Sequence, residues 1–197
     1  MNKFLLSKVP GEKIELAVSV EDCKSDLKLE HNDDDKLVED YILAACALVG
    51  GRDGIVGKVL TTEKWDLKLS SAQGIVELPL SPVQSIESIT YFDSQNQEQT
   101  LDVSNFYLYG DEDSAIIEPK AGTVWPAVYA RRDAIKIRYV AGFGAANQLP
   151  ANITRAIRLI VAHWYENRTA VLVGVTAQEL PLAVESLLGI SRKGWSA

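Results

Sequence analysis

The sequence predicts an α+β protein, with a mainly helical core of about four helices and a β-hairpin-rich insertion between the second and third long helices. Three observations lead there. Apolar residues recur at helical spacing before residue 64 and again after residue 150. Between Lys64 and Val140 the period changes to two. The strands fall in one block instead of alternating with helices, as a doubly wound parallel sheet requires. The expected parts are an N-terminal helical part at 1–63, the β insertion at 64–140 and a C-terminal helical part at 141–197, together one compact domain.

The elements follow in order. Ser19 with Asp22 is a short capping signal, and Val20, Cys23 and Leu27 follow at helical spacing, giving a first helix over about 20–29. His31-Asn32-Asp33-Asp34-Asp35 supplies caps and negative charge to the start of a second helix. Its apolar stripe is Leu37, Tyr41, Ala44, Ala45 and Leu48, and the glycines of 50–54 end it. Strands are expected at Trp65–Leu69, Ile75–Leu78, Ser85–Asp93, Thr100–Leu108, Ser114–Glu118 and Ala134–Val140, with turn residues between them. Ile153, Ile157, Ile160 and Trp164 then make one stripe of a third helix, with Arg155, Arg158 and Glu166 opposite. Leu159, Val161, Ala162, His163 and Tyr165 widen the apolar surface almost all round, the mark of a helix buried on more than one side. Thr176 and Glu179 form a capping box, Pro181 sits early in the closing helix, and Leu182–Leu188 carry its apolar face.

Composition narrows the function. Hydrophobic residues are 47% of the 197 and charged residues 24%, the balance of a folded globular chain. No apolar run approaches the roughly 20 residues that span a bilayer, and the N-terminal apolar patch is too small for a signal peptide, so the chain reads as made and kept in a cytoplasm. Cys23 and Cys46 read as buried free thiols. A net charge of −7 argues against a general nucleic-acid binder. Residues 1–40 hold eleven acids against six lysines, whereas 151–197 hold five cations against three acids. Opposite-signed ends suit head-to-tail self-association or docking on a charged partner, and two solvated faces fit the same charges.

The motifs that suggest chemistry fail on inspection. Gly142-Phe143-Gly144 follows a strand and precedes a helix, but Asn147 stands where a dinucleotide loop needs Gly or Ala, and the helix opens late, at Pro150. The stretch reads as a corner between strand and helix. GRDGIVGK (51–58) has Arg52 and Val59 where a P-loop needs Gly and Ser or Thr. Asp33–Asp35 lacks the alternation and central Gly of a calcium loop. His31 and His163 form no metal or triad grouping, and His163 reads as a hydrogen-bonded core or interface histidine. No catalytic, cofactor or metal residue is assigned.

The succession of segments resembles the head–tail connector (adaptor, head-completion) proteins of tailed bacteriophages and prophages. SVEDCKSDLKLEHNDDDKLVEDYILAA resembles the family's opening helix pair. Trp65, Pro79-Leu80-Ser81-Pro82-Val83 and Ile89-Thr90-Tyr91 anchor the likeness of the β region. WPAVYARRDAIKIRYVAGFGAANQLPANITRAIRLIVAHWYENR is the most diagnostic stretch, and ELPLAVESLLGISR resembles the closing helix. The likeness covers 19–193. It is weaker over the first 18 residues and over 169–178, and residues 50–57 are richer in glycine than the family pattern.

The resemblance implies a non-enzymatic virion protein without cofactors, made in the host bacterial cytoplasm and placed at the head–tail junction. It implies a ring of about twelve copies beneath the portal protein, offering a surface to the next tail-proximal head-closure or tail protein. DNA only passes through the lumen, and no membrane is involved. Portal contacts are implied for Leu187, Leu188, Arg192, Lys193 and Trp195. A ring contact needs two different faces, for which the candidates are Asp33, Asp34 and Glu39 on one side and Arg155, Arg158, His163 and Trp164 on the other. The β insertion is expected to form an outer or tail-facing lobe. Alternative readings are another head-closure or tail-completion (stopper-type) protein, or a cytoplasmic enzyme using His163.

Overall fold

Strand β8 (Ile135–Ala141) shows how alternation builds the larger sheet. Ile135, Ile137, Tyr139 and Ala141 are buried, and the residues between them face the other way. The strand is hydrogen-bonded along both edges, to β2 (Glu63–Leu69) and to β4 (Val83–Phe92), antiparallel in each case. Register places Leu67 and Ile89 on either side of Ile137, so three fully buried side chains form one row across three strands. Each such burial contributes about 1.5–3 kcal/mol. β4 absorbs two register shifts, at Val83/Ser85 and Ile86/Ser88, which bend it against its shorter partner.

The computed structural model describes residues 4–11, 15–167 and 181–192. Among them are four helices and two antiparallel sheets. By internal packing the chain divides into two compact units, 1–14 with 62–143 and 15–61 with 144–197.

The first unit holds the sheets. The five-stranded sheet has the order β1-β2-β8-β4-β5, where β1 is Leu5–Lys8 and β5 is Glu98–Leu101. The three-stranded sheet has the order β3-β7-β6, from Val76–Leu78, Ala115–Pro119 and Phe106–Gly110. Val76, Leu78, Ala115, Ile117 and Phe106 are buried on one face of the small sheet. Register puts Glu77, Ile116 and Tyr109 in one row of the other face, beside Glu118 and Tyr107.

The second unit holds the helices α1 (Val20–Leu27), α2 (Asp35–Val49), α3 (Ala151–Glu166) and α4 (Leu182–Ser191). Helix α3 packs against each of the other three. Its buried stripe of Ile153, Ala156, Ile157, Ile160 and Val161 meets an α2 stripe of Val38, Ile42, Ala45 and Val49. Ser19 caps α1 as expected, its hydroxyl accepting from the Asp22 N–H at 3.0 Å.

Four sequence expectations change. Helix α2 buries Val38, Ile42, Ala45 and Val49; of the expected stripe of Leu37, Tyr41, Ala44, Ala45 and Leu48 only Ala45 is buried, because packing against α3 selects a face turned by one position. The strand expected at Thr100–Leu108 is two strands, β5 and β6, split by a 3-10 turn at Val103–Asn105. The Asp102 carboxylate accepts from the Ser104 N–H there at 2.9 Å, a local bond that outcompetes a sheet ladder. Strand β1 was not expected: four residues are too few to show a period, and it forms because β2 offers a free edge. Cys46 is only half-buried, whereas Cys23 is buried.

The corner at 142–144 is what its glycines suggested. Gly142 and Gly144 both have φ of 124°, a region open to glycine and costly for other residues. A Cβ on Gly144 would collide with the Gln148 carboxamide, which accepts from the Ala145 N–H at 2.9 Å. Pro150 then stands at the N-cap of α3.

Across the exposed side of the larger sheet, Arg138 on β8 faces Asp66 on β2. Its Nε and Nη2 donate to the two carboxylate oxygens at 2.7 and 2.9 Å. These bonds hold the Asp66 carboxyl below its ordinary value, with burial opposing. The stabilisation is therefore complete above the ordinary carboxylate range and is lost as pH falls through the lowered folded value. Asp66→Asn is expected to cost about 1 kcal/mol at neutral pH, after discounting for the exposed Arg138. Urea titrations over a range of pH should show the gap to the parent closing in acid; a gap constant with pH would remove the pair from the stability of the sheet.

Candidate functional site

The helical unit gathers most of the candidate residues. Arg155 and Arg158, three apart on α3, project toward α1 and clasp one carboxylate. Asp26 accepts from Arg155 Nη1 at 2.9 Å, from Arg158 Nε at 2.8 Å and from Arg158 Nη2 at 2.6 Å. Arg158 Nη2 also donates to the Asp22 carbonyl at 3.2 Å. The two cations are thus engaged within their own chain. Cys23, one turn before Asp26, is pushed up to about 12 by burial, with the Arg158 charge pulling the other way.

The acids expected to cap α2 do something else. Asp34 occupies the N-cap position without a side-chain cap bond, and its carboxylate accepts from the Tyr165 hydroxyl at 2.5 Å. Asp35 pairs with Lys24 at 2.6 Å. Both tie the start of α2 to a neighbouring helix. Asp33 is almost fully exposed and lies 4.0 Å from His31, while Glu39 pairs with Lys36 at 3.0 Å.

Trp164 packs edge-on against Tyr41 of α2, with ring centres 6.1 Å apart. His163 Nδ1 is 3.4 Å from the Asn167 amide nitrogen, and its Nε2 is buried without a partner among the described residues. The residue as a whole is half-buried. Among the described residues no three His, Cys, Asp or Glu side chains group as a metal site, and no helix is long and apolar enough to cross a membrane.

Helix α4 is anchored from the other end of α3. Asn152 donates from its one amide nitrogen to the Leu187 carbonyl at 2.9 Å and to the Ser191 hydroxyl at 2.7 Å, satisfying groups at the C-terminal turn of α4. Val184 and Leu188 are buried. Leu188 therefore belongs to the core of this unit, and Leu187 is half-buried beside it. The outward face carries Leu182 and Ile190, 81% and 79% exposed, with Arg192 exposed just beyond. Lys193 and Trp195 lie outside the described residues.

Sequence reasoning missed Asp26 and Asn152. The spacing of Arg155 and Arg158 did announce a two-cation face, but its carboxylate partner is 132 positions from Arg158 and nothing local marks it. The assembled geometry offers charged and apolar surfaces; it sets no nucleophile beside a base among the described residues.

Comparisons with known proteins bear on family and fold. The family model described as head completion protein matches residues 16–179. No curated protein matches the chain. Among solved structures, a chain in the neck of an empty gene transfer agent (GTA) particle, computed with C6 symmetry, superposes with a TM-score of 0.77 at 22% identity, covering 98% of this chain and 97% of that one. A chain of the native GTA virion gives the same figures. One in the neck of the native particle, computed with C12 symmetry, gives a TM-score of 0.74 at 22% identity over the same shares. At this identity the likeness is one of fold.

The clasp on Asp26 makes a measurable claim. Asp26→Asn is expected to cost about 1 kcal/mol, since the pairs are partly exposed. The loss should appear as faster local opening of α1, raising the rate of Cys23 thiol labelling about fivefold under native conditions. An unchanged labelling rate would mean that α1 is held without the clasp.

Proposed function

The chain belongs to the head completion protein family, and from that membership we propose that it is a head–tail connector, a ring-forming structural part of a phage-like virion. The observation that carries the reading is the family match over 16–179. Support comes from the fold shared with chains in GTA necks, one computed with C12 and one with C6 symmetry. We assign the protein to the head–tail junction, beneath the portal, in a ring of about twelve copies with a tail-proximal partner below. The role is structural and non-enzymatic.

A ring needs a heterologous contact between two different faces. Arg155 and Arg158 are engaged by Asp26, so we propose that they shape the α1–α3 face, and that Asp33 and Glu39 present the acidic counterpart. Trp164 and Asp34, tied to Tyr41 and Tyr165, hold that surface in place. For the portal we propose the outward side of α4, with Leu182 and Ile190 as apolar contacts beside Leu187 and Arg192, followed by Lys193 and Trp195. Exposed aliphatic side chains next to Arg and Trp are the residue types that anchor interfaces. Leu188 supports this surface from beneath. DNA traverses the lumen without a specific site, as suits an acidic protein.

The combined variant Arg192→Ala with Trp195→Ala is expected to melt at the parent temperature, Arg192 being exposed. It should co-sediment with portal rings at least about tenfold more weakly. Negative-stain images and mass of the protein, alone and mixed with portal, would report the ring directly. Full portal binding by the variant would remove the C-terminal segment from the interface, and a position away from the portal would favour a stopper-type role.

A further inference from the structure

Beside the small sheet two grooves meet at Ile75. One, of 370 Å³, runs between Ile75 and the wall formed by Val124 and Trp125. The other, of 320 Å³, runs between Phe4 and the stretch Ile75–Glu77. Ile75 is 57% exposed and Val124 80%, so both the ridge and the outer wall are apolar surface left in water. Single exposed aliphatics are ordinary, but aliphatics lining a continuous concavity mark a binding surface. The wall is pre-formed: Trp125 Nε1 donates to the Gly74 carbonyl at 2.8 Å, and its ring lies 4.8 Å from that of Phe106. A site already in shape loses little entropy on binding.

Two further observations say what fits. Each groove carries one carboxylate, Glu118 in the first and Glu77 in the second, and neither lining contains Lys, Arg or His. Neither carboxylate has a hydrogen-bonding or ion-pairing partner among the described residues. The second groove also follows consecutive residues of β3, which is hydrogen-bonded to β7 on one side and stands at the edge of its sheet on the other. An open edge supplies unpaired backbone groups to an extended segment, and side chains of such a segment alternate in direction. The sign of the lining repels nucleic-acid phosphates, and it disfavours a second copy of a chain whose net charge is −7.

We propose that the paired grooves dock an extended, basic segment of a partner protein, laid along the open edge of β3. Its apolar side chains enter the grooves on either side of Ile75, and its Lys or Arg side chains pair with Glu77 and Glu118. The inference stands on this surface and does not depend on the family reading.

The test uses the full chain and two fluorescent peptides, one of alternating Val and Lys, the other with Glu in place of each Lys. Anisotropy should show saturable binding of the Val–Lys peptide and none of the Val–Glu peptide. The double variant Glu77→Gln, Glu118→Gln should melt at the parent temperature and bind about tenfold more weakly. Ile75→Asn, a neutral change at an exposed position, should weaken binding to a similar extent through the apolar contact. Amide exchange over residues 75–78 should slow in the complex. No saturable binding, equal binding of the two peptides, or full affinity in the Gln variant would overturn the proposal. Self-association that Ile75→Asn abolishes would overturn it as well, making a second copy the occupant.

Discussion

β8 and α3 each require partners on two or more sides, and the chain supplies them consecutively. The strand shares both edges, with β2 and β4, and the helix packs against α1, α2 and α4. Their side chains are correspondingly apolar: Ile135 and Ile137 on the strand, Ile153, Ile157 and Ile160 on the helix, all fully buried. At about 1.5–3 kcal/mol for each large aliphatic removed from water, these few residues rival the whole net stability of an ordinary domain. The two flanking strands and the three other helices are placed by what they lend to these two. The corner at Gly142 and Gly144 is the price of putting them next to each other in sequence, since the backbone there takes a φ that other residues avoid.

Charge is used mainly to orient these parts. Arg138 with Asp66 marks the register of β8 on β2; Arg158 with Asp26 and Lys24 with Asp35 link helices to each other. Each pair is partly exposed and individually weak, so their effect lies in geometry more than in stability. The functional consequence is that a charged residue is a poor guide to a contact surface until its own partner is known. Arg155 and Arg158 are engaged, whereas Glu77 and Glu118 meet no partner among the described residues. Apolar exposure follows a similar division. Leu188 is buried in the helical unit, while Leu182 and Ile190, six before and two after it, face solvent.

Much of this was legible in the residues. The change from helical to alternating period located α2, α3 and most strands, and for α3 it also gave the buried face, because periodicity reports which side an element buries. In α2 apolar residues lie nearly all round, and packing chose Val38, Ile42, Ala45 and Val49. The decoy motifs were rejected at Asn147, Arg52 and Val59, since those positions call for a small side chain under a closely packed helix, a glycine in the loop and a metal-binding hydroxyl. Strand β1 was not legible: its four residues carry no period, and only the free edge of β2 makes them a strand. The turn at Val103–Asn105 was hidden inside an apolar run that reads equally well as a single strand.

By itself the sequence determined the α+β class and the broad order of helices, a block of strands, then helices. These are local matters, written in spacing and in the chemistry of near neighbours. The tertiary structure alone decided which charges are spent and which surfaces remain. Asp26 meets Arg158 across 132 positions, Asp34 meets Tyr165 across 131, and the grooves at Ile75 join Phe4 to residues beyond Leu69. Such pairings follow from how elements pack, and no local pattern in the chain encodes the partner. For a protein whose role rests on surfaces, the side chains left over after folding carry the function.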